Sequence, residues 1–221
     1  MRRTAIPVAA LLLSSCATTP APSPEVPSAA EAEPALPQAP PVVLRPVSVE
    51  FVNAEVTKAG AAINETRYSE RPDDVAITAK IYAQGVITVL GNVGLGKGSS
   101  YGGIGLNFSV AGDGKSVDAR GYKAVTFKLS SPVKRNLRLR IWGADRAKRE
   151  GGCYPVYTQA VGPEMKAYTI PLAAFEAESW CGKKAEPVLA TLGSLWGFEV
   201  ADVTLSRDPT NFSIGTVTLE P

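Results

Sequence analysis

The stretch from Tyr101 to Trp142 constrains this chain more than any other. It holds three segments in which apolar and polar residues alternate with the period of a half-buried strand. In the first, Ile104, Leu106, Phe108 and Val110 share one face, and Gly103, Gly105, Asn107 and Ser109 share the other. In the second, Val125, Phe127 and Leu129 alternate with Thr126 and Lys128. The third runs Leu137-Arg138-Leu139-Arg140-Ile141-Trp142, with its aliphatic residues on one side and Arg138, Arg140 and Trp142 on the other. An all-aliphatic strand face needs a second layer to bury it, so the three segments read as one layer of an antiparallel sandwich. Small residues opposite two guanidinium groups and an indole suit a shallow groove on the other side of that layer.

A complete absence of histidine narrows the chemistry. It removes His-based acid/base catalysis, Ser-His-Asp and Cys-His nucleophiles, and His-ligated zinc. A net charge of +2 over 221 residues gives no argument for a nucleic-acid partner.

The amino terminus reads as a targeting segment over residues 1–16. Met1-Arg2-Arg3 is basic, Ala5 to Leu13 is a short apolar run broken only by Pro7, and Leu13-Ser14-Ser15-Cys16 closes it. The run is too short to span a bilayer as a helix. The closing tetrapeptide resembles the lipobox of bacterial lipoproteins, which implies lipidation at Cys16 and a mature chain starting there. Ala17 follows in place of aspartate, which by the same resemblance implies the outer membrane and a lipid-anchored protein. Setting Cys16 aside leaves Cys153 and Cys181 in a chain expected in an oxidising compartment. The two predict one disulfide across nearly thirty residues, stabilising by roughly 3 to 4 kcal/mol in the chain-entropy picture. A thiolate nucleophile would lack a histidine to activate it.

Residues 17–46 are rich in Ala, Pro, Glu and Ser, with prolines at every few positions from Pro20 to Pro46. No apolar periodicity survives there, so the segment predicts a disordered, partly polyproline spacer. The folded domain is expected over 47–221. Val47, Val49 and Phe51 suggest a first strand. Ala54 to Ser69 reads as loop or helical turn, Arg71 to Asp74 as a turn, and Ile77 to Leu90 as two strands or one bent strand. The glycines of Gly91 to Tyr101 lack the spacing of a phosphate-binding loop and suggest a flexible rim. Gly143 to Gly152 is a charged loop. Tyr168 to Leu172 is a strand whose Pro171 suggests an edge. Ala173 to Trp180 suggests a helical turn, and Trp196, Phe198 and Val200 point inward on a further strand before the last one, Phe212 to Leu219. That makes eight to ten short strands in an all-β sandwich.

The order of these pieces carries a resemblance. Tyr101 to Phe108 is followed by Val117-Asp118-Ala119-Arg120-Gly121-Tyr122 and the strand to Phe127, then by the Arg-rich strand and the Cys153-Tyr154 loop. Lys166 to Phe175, Trp196-Gly197-Phe198 and Phe212 to Leu219 complete it. The pattern resembles the β-jelly-roll carbohydrate-binding modules of the galactose-binding-like superfamily. The resemblance implies a two-sheet antiparallel jelly roll, glycan binding on its concave sheet, and in many members a structural calcium. Where members carry an aspartate in the final strand, this chain has Ile214-Gly215-Thr216, so no metal ligand is assigned and no cofactor is expected.

Three functions are compared. A glycan-binding module would stack pyranose faces on aromatic rings and hydrogen-bond hydroxyls with planar side chains. Arg138, Arg140, Trp142 and Asn107 supply that face, Tyr154 and Tyr157 its rim, and Glu199 the counter-charge that orients a guanidinium. Trp180 is expected to cover the disulfide and Trp196 to lie in the core. The alternative is an accessory envelope lipoprotein that docks to another envelope protein through the same Arg/Trp face. An enzyme would need a carboxylate pair, for which Glu199, Asp202 and Asp118 carry no signature, so catalysis is not expected.

Overall fold

The computed structural model of the chain describes residues 43–70, 74–93, 100–108, 116–144, 153–206 and 208–221. The targeting segment with Cys16, nearly all of the Pro-rich spacer, the glycines at 94–99 and the charged residues at 145–150 lie outside the described residues.

Among the described residues the chain forms eleven strands. They are β1 (Val47–Val49), β2 (Asn64–Ser69), β3 (Val75–Ala83), β4 (Val86–Val93), β5 (Ser100–Asn107), β6 (Ala124–Ser130), β7 (Arg135–Gly143), β8 (Val156–Val161), β9 (Lys166–Pro171), β10 (Leu195–Asp202) and β11 (Thr210–Glu220). One short helix, α1 (Val188–Leu192), precedes β10. The strands build two antiparallel sheets. One has the order β3-β4-β11-β6-β9, with β1 paired to β11, and the other the order β2-β5-β10-β7-β8. This is the two-layer sandwich that the alternation demanded.

Two details differ from the sequence reading. The three alternating segments do not share a layer: β5 and β7 lie in the five-stranded sheet, whereas β6 lies in the six-stranded one. Period-two alternation fixes which face of a strand turns inward. It does not say which sheet the strand joins. The stretch Asn64–Ser69, whose polar residues suggested a loop, is β2, an edge strand paired with β5 along its whole length. An edge strand with one face on solvent needs few apolar residues. Pro171 does close an edge strand, because β9 ends the six-stranded order and leaves the lost donor facing outward.

The core lies between the layers. Ile104, Leu106, Leu137, Leu139, Ile141, Phe198 and Val200 from one sheet meet Ile87, Val89, Val125, Phe127, Leu129, Phe212, Ile214, Val217 and Leu219 from the other, all of them fully buried. Each such side chain stabilises the fold by about 1.5–3 kcal/mol. Phe198 joins the layers directly, edge-on to Phe127 at 5.4 Å and to Phe108 at 5.2 Å. Trp196 departs from the expected inward set. The pairing of β10 with β7 shifts between Leu195 and Gly197, so Leu195 takes the core position and Trp196 is only half-buried.

A buried ionic cluster clamps one end of the sandwich. Asp202 of β10 accepts hydrogen bonds from the Thr204 N–H at 2.8 Å and from the Thr210 hydroxyl at 3.0 Å, with Arg135 Nη1 at 3.4 Å. Arg135 Nη2 also donates to the carbonyls of Asp208 and Pro209, at 3.1 and 2.7 Å. The cluster thereby ties β7 and β10 of one sheet to the start of β11 in the other.

Candidate functional site

The outer face of the five-stranded sheet follows from register. Asn107, Gly197 and Trp142 form one row across β5, β10 and β7. Asn64, Gly105, Glu199, Arg140 and Val156 form the next, and Thr66, Gly103, Ala201, Arg138 and Thr158 the one after. Tyr68 and Tyr101 face each other across β2 and β5 just beyond. All these positions alternate with core residues, so they lie on the side away from the other sheet. The central strands contribute small residues there: Gly103, Gly105, Gly197 and Ala201. They leave a floor across which the long side chains of β7 can lie.

Arg138, Arg140 and Trp142 are on this outer face, but they are not open to solvent. Trp142 is 3% exposed and both arginines are buried. The indole lies over the glycine floor, its ring carbons 2.8 and 2.9 Å from where a Cβ on Gly105 would stand, and its Nε1 2.6 Å from where a Cβ on Gly197 would stand. Arg138 Nη2 donates to Glu199 Oε1 at 2.7 Å, and Arg140 Nη1 is 3.7 Å from Glu199 Oε2. Glu178, on the segment after β9, reaches the same two groups from outside. It stands 3.7 Å from Arg138 Nη1 and 3.5 Å from Arg140 Nη2. Arg138 also sits over the Tyr101 ring, with its Cζ 3.6 Å from the centroid. Burial alone would pull the Arg138 guanidinium down. Attraction to Glu199 and the hydrogen bond to it, helped by Tyr101 and Glu178, hold it above its ordinary value instead.

Several buried polar atoms have no partner among the described residues: Asn107 Oδ1, Thr66 Oγ1, Arg138 Nε and Arg140 Nε. Buried groups of this kind are rare in folded proteins.

The disulfide sets the position of Glu178. Cys153 and Cys181 are bonded, with their Cα atoms 5.6 Å apart. Glu176 pairs with Val156 at the start of β8 through two backbone hydrogen bonds of 2.8 and 3.0 Å, and the Glu186 N–H donates to the Cys153 carbonyl. The chain from Glu176 to Glu186 is therefore held at both ends to the residues that begin β8, and Glu178 is carried over β7. Trp180, expected to cover the bridge, lies in the same tight turn with most of its surface open. It is 63% exposed.

The tyrosines expected at the rim lie elsewhere. Tyr157 is paired with Leu139, so it faces the core, where its ring centroid is 5.9 Å from that of Phe175. Tyr154 is buried beside the disulfide. The accessible rings are instead Tyr68, which is 48% exposed and stacked on Tyr101 with centroids 5.8 Å apart, and Trp180. Tyr68 was hidden in a stretch too polar to read as a strand. Placing it on β2 required knowing that β2 pairs with β5. Among the described residues no three acidic or sulfur groups converge on a point that would hold a metal ion.

No protein-family model and no curated protein matches the sequence. Solved structures do match in shape. A family 11 carbohydrate-binding module from Clostridium thermocellum, in complex with a β-1,3-1,4-mixed-linked tetrasaccharide, superposes with a TM-score of 0.50 at 12% identity, over 78% of this chain and 95% of that one. The family 11 module of a cellulosomal cellulase of the same organism gives 0.41 at 13% identity, over 81% and 89%. A family 29 carbohydrate-binding module variant gives 0.41 at 7% identity, over 80% and 92%. The fold is the β-jelly roll of carbohydrate-binding modules. At these identities the likeness concerns the path of the backbone, and what the outer face binds has to be argued from its own residues.

Proposed function

We propose that this chain is a non-catalytic, lipid-anchored envelope protein, and that its jelly roll binds carbohydrate on the outer face of the five-stranded sheet, the side expected to be concave. One observation carries the reading. A planar layer of guanidinium and carboxylate groups, held by Arg138, Arg140 and Glu199, is flanked by accessible aromatic rings. Tyr68 stands at the β2 edge, and Trp180 is tethered beyond the β8 edge. Rings stack against the CH faces of a sugar, and fixed planar donors hydrogen-bond its hydroxyls, so the two together suit a polysaccharide chain laid across the strands. The shared fold adds its setting, since the Clostridium thermocellum module was captured with a tetrasaccharide. A non-catalytic role is favoured by the carboxylates themselves. Glu178 and Glu199 engage the same two guanidinium groups and are not set apart across a scissile bond.

Affinity electrophoresis and calorimetry against a panel of soluble polysaccharides test this. The protein should bind at least one of them, and Tyr68→Ala and Trp180→Ala should each weaken that binding roughly two- to tenfold, the loss of one stacked ring. Trp180→Ala should melt as the parent does, and Tyr68→Ala, which gives up its stacking on Tyr101, should lose no more than about 0.5–1.5 kcal/mol. Retention of no polysaccharide, or variants that bind as tightly as the parent, would remove carbohydrate as the ligand of this face.

A further inference from the structure

The charges on the outer face do not balance in the interior. Two guanidinium groups are buried there, Arg138 and Arg140, and among the described residues one carboxylate, Glu199, is buried with them. The second negative charge comes from Glu178, whose side chain is 28% exposed. The two carboxylates are held differently. Glu199 accepts a direct hydrogen bond of 2.7 Å from Arg138, whereas both contacts of Glu178 are 3.5 Å or longer and lie outside hydrogen-bonding distance. Arginine forks that meet a carboxylate well do so with two short parallel bonds. Here Arg138 and Arg140 each keep an Nε–H with no acceptor among the described residues. The anion over these arginines is thus loosely placed, solvent-accessible and carried on a turn outside the sheet, while the cations beneath it are fixed.

We infer that the polysaccharide of this face is an acidic one, and that a uronate carboxylate of the ligand displaces Glu178 and takes its place against Arg138 and Arg140. The inference rests on the carbohydrate-binding reading and gives that ligand its chemical class. The exchange conserves charge, because one carboxylate leaves the buried pair of guanidinium groups and another arrives. It can also add hydrogen bonds, since a ligand carboxylate is free to take the short bidentate geometry that Glu178 does not reach. Glu178 acts as a resident stand-in that keeps the two cations paired until ligand binds. Its departure exposes no unpaired buried charge, as removal of Glu199 would. The surroundings agree with an anionic chain. Trp180 offers a ring two residues from Glu178, and Lys183 lies exposed on the same turn.

The test uses the oxidised full-length chain with three pairs of probes. These are polygalacturonate and its methyl ester, alginate and its carboxyl-reduced form, and dextran sulfate with dextran. A uronate polymer should bind at least about tenfold more tightly than its neutral partner, the equivalent of roughly 1.4 kcal/mol. Glu178→Gln vacates the anion position while keeping the side chain's size, and should tighten uronate binding severalfold, a gain clearly larger than any change for the neutral partner polymer. Equal binding of charged and neutral forms would overturn the inference and leave the carbohydrate reading standing. Equal retention of dextran sulfate and the uronates would reduce the effect to unspecific ion pairing and overturn it as well. A Glu178→Gln protein that binds uronate no better than the parent would sink the displacement. If no polymer of any kind is bound, the carbohydrate reading itself fails and takes the inference with it.

Discussion

Gly105 and Gly197 lie where the outer face has no room for a side chain, yet the two would respond differently to one. A Cβ at Gly105 would meet the rim of the Trp142 ring, which can tilt, whereas at Gly197 it would run into the Leu106 carbonyl as well as the indole and Asn107. Backbone does not yield as a ring does, so Gly197→Ala should lose about 1–3 kcal/mol in urea denaturation and Gly105→Ala distinctly less. Equal losses would mean that the indole is as immovable as the strand. The acidic pair gives a second contrast. Glu199→Gln leaves two buried guanidinium groups with only a distant counter-charge and should cost about 3–5 kcal/mol. Glu178→Gln removes a half-exposed partner and should stay within about 1 kcal/mol of the parent. Comparable melting of the two variants would contradict the division between a fixed and an exchangeable carboxylate. Much of this layer was legible in the sequence, because alternation alone places Arg138, Arg140 and Trp142 opposite Leu137, Leu139 and Ile141. Their burial was not. Exposure depends on what lies above a residue, and Glu178 comes from a turn forty residues away that no local pattern connects to β7.

At the scale of elements, the segment from Glu176 to Glu186 shows what cysteine parity can tell and what it cannot. Two cysteines left in a chain expected to be exported point to a bond, and the bond is present. The sequence did not show that this bond fastens a turn beside the β8 edge, leaving Trp180 outside. Nor did it show that β6 leaves the layer of β5 and β7, because side-chain alternation carries no information about the partner strand. Reducing the disulfide in the folded protein should therefore act locally before it acts globally. Amide exchange should accelerate first between Glu176 and Glu186, with β7 and β10 still protected, and global stability should fall by about 2–4 kcal/mol. Exchange that rises everywhere at once would show that the turn and the sandwich are a single cooperative unit.

For the whole molecule, the proposal joins two activities that should separate cleanly. Anchoring is assigned to a lipid on Cys16, and recognition to a sheet face of the domain that follows the Pro-rich sequence. Cys16→Ser should move the protein from the membrane to the soluble fraction while its affinity for polysaccharide in solution stays unchanged. Trp180→Ala should stay with the membrane and bind polysaccharide more weakly. The mature parent should carry a lipid mass at its amino terminus, and an unmodified start at another residue would sink the anchor. Joining the two activities has a consequence that neither shows alone. Many copies held in one membrane plane meet a long polymer together, so each engaged site raises the effective concentration of the next. Protein reconstituted in vesicles should then retain a polysaccharide at concentrations at least about a hundredfold below those needed by the Cys16→Ser form. Short oligosaccharides, which reach only one site, should show no such gain. A gain of equal size for the short ligands would mean that the membrane changes the site itself, and the picture of independent tethered modules would have to be given up.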